Sequence, residues 1–256
     1  DWQDDAARRD FTINALYADP VTLELFDYFG GLDDLAVQRV RFIGDARQRI
    51  AEDYLRILRY FRFQARFGSL PADAEAEAAG SELAPGMMGL SRERVGWELV
   101  NLLGLPDPAP TVVRMAELGV LAQVLPEAQV AGLEALTANE AALGVAPDAL
   151  RRLAALLPAD PPLAEQVAAR LRLSVAQRKR LATAAARDGA DLDARALAYR
   201  LGQGATLAML AFTGFQRVAS GGHFLSDVLL SWVFTGVIAL ILARLMLGRS
   251  GPVARP

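Results

Sequence analysis

Hydrophobic and polar positions change their spacing along this chain, and each change predicts a different element. Residues 14–19, NALYAD, and 23–29, LELFDYF, alternate around Asp19-Pro20, the pattern of two short strands joined by a turn. VRFIG, residues 40–44, is a further strand candidate. Beyond Gly44 the period becomes helical. Asp45 can cap a helix running to about Phe67, with Gly68 closing it. Segments 91–103, 110–118, 147–157, 162–171 and 174–187 read as short helices separated by Pro and Gly. No repeat of fixed period interrupts them.

The charge pattern changes again after residue 204. From Ala205 onward only Arg217, Asp227, Arg244, Arg249 and Arg255 are charged, and 228–243, VLLSWVFTGVIALILA, holds no charge. A bilayer-spanning helix needs about 20 apolar residues. The run is slightly short, but Arg244 near its end could snorkel. A membrane helix is the favoured reading and a buried soluble helix the alternative.

Within EDYLRILRYFRF, residues 52–63, charge and bulk apolar side chains alternate at helical spacing. At about 100° per residue, Tyr54, Ile57, Leu58 and Phe61 share one arc. Arg49, Glu52, Asp53, Arg56, Arg59, Arg62 and Arg66 fall opposite. That face could be solvated and laced by the Glu52 to Arg56 pair. Five arginines edged by large aromatics instead suit something flat and anionic, such as a nucleotide.

Composition narrows the picture modestly. At 256 residues the chain can bury a substantial core, and its net charge of −3 confines any nucleic-acid site to a local patch. Cysteine is absent, which excludes disulfides and thiolate metal sites. Lys179 is the only lysine among 27 basic residues, an arginine excess that GC-rich codon usage would explain. The chain opens on Asp1, without Met or a signal peptide, and is expected to be a piece of a longer protein.

RRDFTINAL at 8–16, GGLDDL at 30–35 and the arginine-rich helix occur in an order and spacing that resemble the class II nucleotidyltransferases. These are the bacterial CCA-adding tRNA enzymes and poly(A) polymerases. LSRERVGWELVNLL, 90–103, is similar to the family's later neck motif, and the resemblance extends to about residue 204. It implies that Arg9 and Asp10 recognise the ribose and phosphates of an incoming nucleotide and that Asn14 lies near the triphosphate. Asp53 and Arg56 would read the base edge as a protein template for C and A. A carboxylate accepts from an exocyclic amine while a guanidinium donates to ring nitrogen and carbonyl. Arg59 and Arg62 would hold phosphates, with Ser91, Arg92 and Arg94 bracing the neck.

The implied partners are the tRNA 3′ end, CTP and ATP, and the implied cofactor is Mg²⁺. In the family Mg²⁺ sits on a DxD pair upstream of RRD, behind a Gly-rich loop. Neither element occurs here, and Asp4 and Asp5 do not replace them. The chain is therefore expected to keep nucleotide selection without the metal site. CCA addition and poly(A) addition share these motifs, so the product stays open. Arg178, Lys179 and Arg180, on a helix capped by Ser174, are divided evenly between RNA backbone contact and a solvated surface.

GFQRVASGGHFLSDVLL, 214–230, resembles a different family, carrying the last motif of the type 2 phosphatidic acid phosphatases. That resemblance would make His223 the phosphate-attacking nucleophile, Asp227 its orienter and Arg217 a phosphate ligand. The family's two earlier motifs are absent. Four parts are thus expected: the end of a nucleotidyltransferase head at 1–43, a nucleotide-selecting neck at 44–104, a helical tRNA-binding body at 105–204 and a membrane-type segment at 205–256. The fold class is mainly α, with a truncated β remnant and one C-terminal membrane helix. Residues 1–204 would be cytoplasmic, with membrane association through 224–248. A membrane phosphatase remnant and a membrane-tethered RNA-binding module without catalysis are the competing functions.

Overall fold

The computed structural model describes residues 1–187, where the chain is mainly helical with one two-stranded sheet. The expected membrane segment 224–248 and the Arg217, His223 and Asp227 motif lie outside the described residues. Among the described residues, no helix is long and apolar enough to cross a membrane. Asp1–Thr137 and Pro147–Ala186 belong to one compact unit, and Ala138–Ala146 and Arg187 are the described residues of a second. In the second, Gly144 takes φ of +63° and the Val145 N–H returns to the Glu140 carbonyl at 2.9 Å.

The first unit begins with helix α1, Trp2–Arg8, a stretch to which the hydrophobic pattern assigned no element. Asp1 and Asp4 form a reciprocal capping box there, satisfying backbone donors that the first turn leaves free. The expected hairpin follows. Strands β1, Leu16–Ala18, and β2, Leu25–Asp27, pair antiparallel with Tyr17 opposite Phe26. Asp19 makes the turn by accepting the Val21 and Thr22 N–H groups at 2.8 Å each.

Two strand expectations are cut short for local reasons. The strand expected from residue 14 starts only at Leu16, because Thr12–Asn14 is a 3₁₀ turn in which the Asn14 side chain accepts the Phe11 N–H and bends the backbone. VRFIG contributes only a single bridge, Phe42 opposite Phe11. The Ile43 N–H reaches the Asp10 carbonyl at 3.0 Å, and the Thr12 N–H reaches that of Arg41 at 3.2 Å. The GGLDDL stretch becomes helix α2, Gly31–Ala36. A Cβ on Gly31 would lie 2.3 Å from the Thr12 carbonyl oxygen, so only glycine fits. Fully buried Asp34 accepts the Thr12 hydroxyl at 2.6 Å and pairs with Arg41 at 2.6 Å and with Arg39.

The single helix expected between Asp45 and Phe67 is two helices. Helix α3, Ala46–Glu52, is capped by Asp45; helix α4 runs Leu55–Phe67; and Asp53 between them is extended, at φ −157° and ψ 105°. The Asp53 carboxylate accepts the Leu55 N–H at 3.1 Å, a local bond that competes with helical continuation. The apolar face of α4 is also wider than expected, since Leu55 and Tyr60 are buried alongside Ile57, Leu58 and Phe61.

The remaining helices are α5, Ala74–Leu83; α6, Arg92–Leu103; α7, Ala109–Glu117; α8, Val120–Val124; α9, Val130–Leu143; α10, Ala149–Ala155; α11, Pro161–Arg170; and α12, Val175–Ala186. Five match the predicted segments closely. Helices α5, α8 and α9 escaped the reading, two because alanine dilutes their periodicity and α8 because it has barely one turn. A Cβ on Gly96 would fall 2.3 Å from the Leu171 carbonyl oxygen, which shows how closely α6 meets the end of α11. Buried Arg152 donates to the carbonyls of Leu103 at 2.8 Å and Pro106 at 2.9 Å, satisfying acceptors past the end of α6.

One hydrophobic cluster runs through this unit from Phe11 to Ala185. Its aromatic end joins the strand-bearing segment to α4: the Phe11 ring lies 4.9 Å from Phe42 and 5.0 Å from Phe63, and Phe42 stacks on Tyr60 at 5.9 Å. Phe11→Ala removes the shared ring and is expected to destabilise the unit by about 3–5 kcal/mol, the range for truncating a buried aromatic. Urea denaturation followed by circular dichroism measures this; a loss under about 1 kcal/mol would mean Phe11 is not central.

Candidate functional site

Asp10 and Arg59 meet where the 3₁₀ turn packs on α4. Asp10 retains 6% exposure, so its carboxylate must find partners within the protein. One oxygen accepts the Asn14 amide at 2.6 Å and the Phe11 N–H at 3.2 Å; the other accepts Arg59 Nε at 2.6 Å. Burial pushes the Asp10 carboxyl up, but the Arg59 guanidinium and the Asn14 amide outweigh it and hold it below the usual range. Burial likewise opposes the charge on Arg59, yet Asp10 keeps that guanidinium more firmly protonated than a free arginine. Three of the predicted residues, Asp10, Asn14 and Arg59, therefore form one connected group.

Glu98 on α6 extends the group. Its side chain is 1% exposed and accepts Arg62 Nε at 2.6 Å, with Arg59 at 3.8 Å. The order is thus Asp10, Arg59, Glu98, Arg62, with charges alternating. Sequence reasoning missed Glu98, although it is the one acid that VGWELV places inside an otherwise apolar run. Arg62 is further confined by aromatic rings, its guanidinium carbon lying 5.0 Å from the Phe63 centroid and 5.4 Å from that of Trp97.

Asp53 occupies the break between α3 and α4 and Arg56 the first turn of α4, with the Arg56 N–H bonded to the Asp53 carbonyl at 3.0 Å. Their side chains already have protein partners. Arg94 donates to Asp53 at 2.6 Å, and Arg56 Nη1 binds Glu52 and the Arg49 carbonyl. Arg94 thereby ties α6 to the break between α3 and α4, while Ser91 gives no side-chain cap. Arg49 spans back to the carbonyls of Ala7 and Arg9. Arg9 itself turns toward Asp5 at 2.7 Å and is not joined to Asp10. On α12, Arg180 pairs with Asp148 at 2.6 Å, and Lys179 is exposed.

Among the described residues, no three carboxylate or imidazole groups cluster closely enough to hold a metal ion. Asp4 is committed to the α1 cap, and Asp5 to Arg9 and Tyr17. The Mg²⁺ implied by the resemblance thus has no fitting ligand set within this part of the chain.

The lowered Asp10 carboxyl links stability to acid. An unfolded chain binds more protons at that position, so the contribution is complete above the ordinary aspartate value of 3.8 and is lost as pH falls through the lower folded value. Asp10→Asn is expected to flatten the decline in stability below about pH 4. Thermal midpoints measured across that range for both proteins test this; parallel declines would contradict it.

Two family models match the chain. The Poly A polymerase head domain matches residues 1–41, and the model described as "Probable RNA and SrmB- binding site of polymerase A" matches 73–131. The human protein named CCA tRNA nucleotidyltransferase 1, mitochondrial, is 51% identical over 105 residues, which is 40% of this chain and 24% of that one. Poly(A) polymerase I of Haemophilus influenzae is 37% identical over 124 residues, 48% of this chain and 27% of that one. The chain spans about a quarter of the length of these curated relatives. A solved structure titled Thermotoga maritima CCA-adding enzyme complexed with tRNA_CCA is 22% identical and superposes with a TM-score of 0.59, covering 82% of this chain and 57% of that one. The chain is therefore similar in sequence to CCA-adding and poly(A)-adding polymerases and shares the fold of a CCA-adding enzyme over most of its length.

Proposed function

We propose that this chain is the nucleotide-selecting part of a tRNA 3′-end CCA-adding nucleotidyltransferase that takes C and A from CTP and ATP. The observation that carries the reading is the connected group of Asp10, Asn14 and Arg59, whose Arg59 lies on α4 about one turn from Arg56. The 51% identity to a protein named for CCA addition, against 37% to a poly(A) polymerase, favours CCA as the product. Residues 1–43 act as the end of the head, 44–104 as the neck and 105–204 as the tRNA-holding body.

Each residue has a role that its chemistry supports. Asp10, held ionised, accepts from a sugar hydroxyl, and Asn14 fixes its orientation. Arg59 and Arg62 supply positive charge for phosphates, with Arg9 adding to it from the rim. Asp53 and Arg56 present an acceptor and a donor fork for the edges of C and A; G and U offer the wrong pattern. Arg56 has Nε and Nη2 unclaimed among the described residues, since only Nη1 is bonded. The Arg94–Asp53 pair is half-exposed and of the kind worth little in water, so a base amine can displace it. The residues described here bind and select the nucleotide and hold no metal ligand set among them. Arg178, Lys179 and Arg180 are the proposed RNA-backbone contacts on the body.

Isothermal titration calorimetry of the full chain tests the selection. CTP and ATP are expected to bind, with UTP and GTP at least about tenfold weaker, as a mispaired buried hydrogen bond implies. Arg56→Ala should abolish the preference. Absence of CTP and ATP binding at millimolar concentration would contradict the proposal.

A further inference from the structure

Trp97 is the residue around the candidate site whose exposure has no structural explanation. It stands on α6 with 57% of its surface exposed, although its neighbours Gly96 and Glu98 are buried. A single exposed apolar side chain is ordinary on a protein surface, but an indole held in a fixed attitude beside a cation also presents an open aromatic face. The ring is held. Arg62 stacks near it at 5.4 Å, and Arg62 cannot easily swing away, because buried Glu98 binds its Nε at 2.6 Å and Phe63 lies on it at 5.0 Å. Helix α4, which carries Arg62 and Phe63, repeats the arginine–aromatic contact one turn on, where exposed Arg66 lies 5.2 Å from the Phe67 ring.

This interleaving of arginine with aromatic rings is the arrangement that single-stranded nucleic acid requires: cations for the phosphates and flat surfaces for unpaired bases. A duplex offers no exposed base faces, and a protein partner would need a broader apolar area than one indole. Trp97 also stands beside the candidate site. Arg62, over its ring at 5.4 Å, shares the Glu98 carboxylate with Arg59, at 2.6 and 3.8 Å. The ring is thus next to the Asp10–Arg59 pair, the group to which the proposed function assigns the incoming nucleotide.

We infer that Trp97 is a stacking platform for a base near the 3′ end of a single-stranded RNA, with Arg62 beneath it as cation and positioning group. The inference deepens the nucleotide-selecting reading and rests on it for the direction of the strand, but the platform can be tested separately. RNA is the committed occupant of the Trp97 ring rather than the mononucleotide, whose proposed binding groups, Arg62 among them, do not include Trp97.

The test uses the full chain, a fluorescein-labelled RNA pentamer ending in CC, the same pentamer abasic at both terminal positions, and CTP alone. Trp97→Ala is expected to weaken pentamer binding about 5- to 100-fold, the range for losing one stacked base, while Trp97→Phe restores most of it. The abasic pentamer should bind wild type and Trp97→Ala alike, and CTP affinity should be unchanged. Because the ring is exposed, melting temperatures should match wild type. Equal pentamer binding by wild type and Trp97→Ala, with CTP still bound, overturns the platform and leaves the nucleotide reading standing. A loss of CTP binding matching the loss of pentamer binding overturns it too, since the ring would then serve the mononucleotide. If the pentamer loss occurs in a protein that never binds CTP, the platform stands and the nucleotide reading falls.

Discussion

Two nearly inaccessible carboxylates, Asp10 and Glu98, lie on either side of Arg59, and the site depends on how their charge is balanced. A lone ionised carboxylate at such depth would cost several kcal/mol and would protonate instead. Arg59 answers Asp10 at 2.6 Å, and Arg62 answers Glu98 at 2.6 Å. Because the partners come from the 3₁₀ turn, α4 and α6, the requirement for neutrality fixes three segments against one another. The aromatic cluster of Phe11, Phe42, Tyr60 and Phe63 supplies the apolar wall that keeps water away from one side of this array.

That arrangement also sets what the site can bind. Buried ion pairs of this kind contribute less to stability than to fixed geometry; here the geometry is a row of guanidinium groups that cannot collapse onto solvent-exposed acids. Asp53, in the break between α3 and α4, and Arg56, in the first turn of α4, have partners that water can reach in part. A rigid, buried array of charges thus stands beside a more exchangeable pair.

Much of this was legible in the residues. The hairpin, the apolar arc of α4 and helices α6, α7, α10, α11 and α12 follow from periodicity and punctuation, and the candidate residues follow from the resemblance of RRD and the EDYLR stretch. What escaped has physical reasons. The break at Asp53 depends on one side chain bonding the Leu55 N–H, which a helical wheel cannot anticipate. The roles of Asp34 and Glu98 are tertiary, because an acid in an apolar run shows its purpose only when distant arginines arrive. The outward turn of Arg9 toward Asp5 reflects helix α1, whose polar sequence gave no periodic signal.

The measurement that tests this account most directly is a double-mutant cycle across Asp10→Asn and Arg59→Gln, read in both unfolding free energy and CTP affinity. If the pair organises the junction, the two substitutions should be non-additive by about 1–2 kcal/mol in stability, and the double variant should bind CTP no worse than the weaker single one. Additivity within about 0.3 kcal/mol, with independent effects on CTP, would contradict the claim that Asp10 and Arg59 act as one unit.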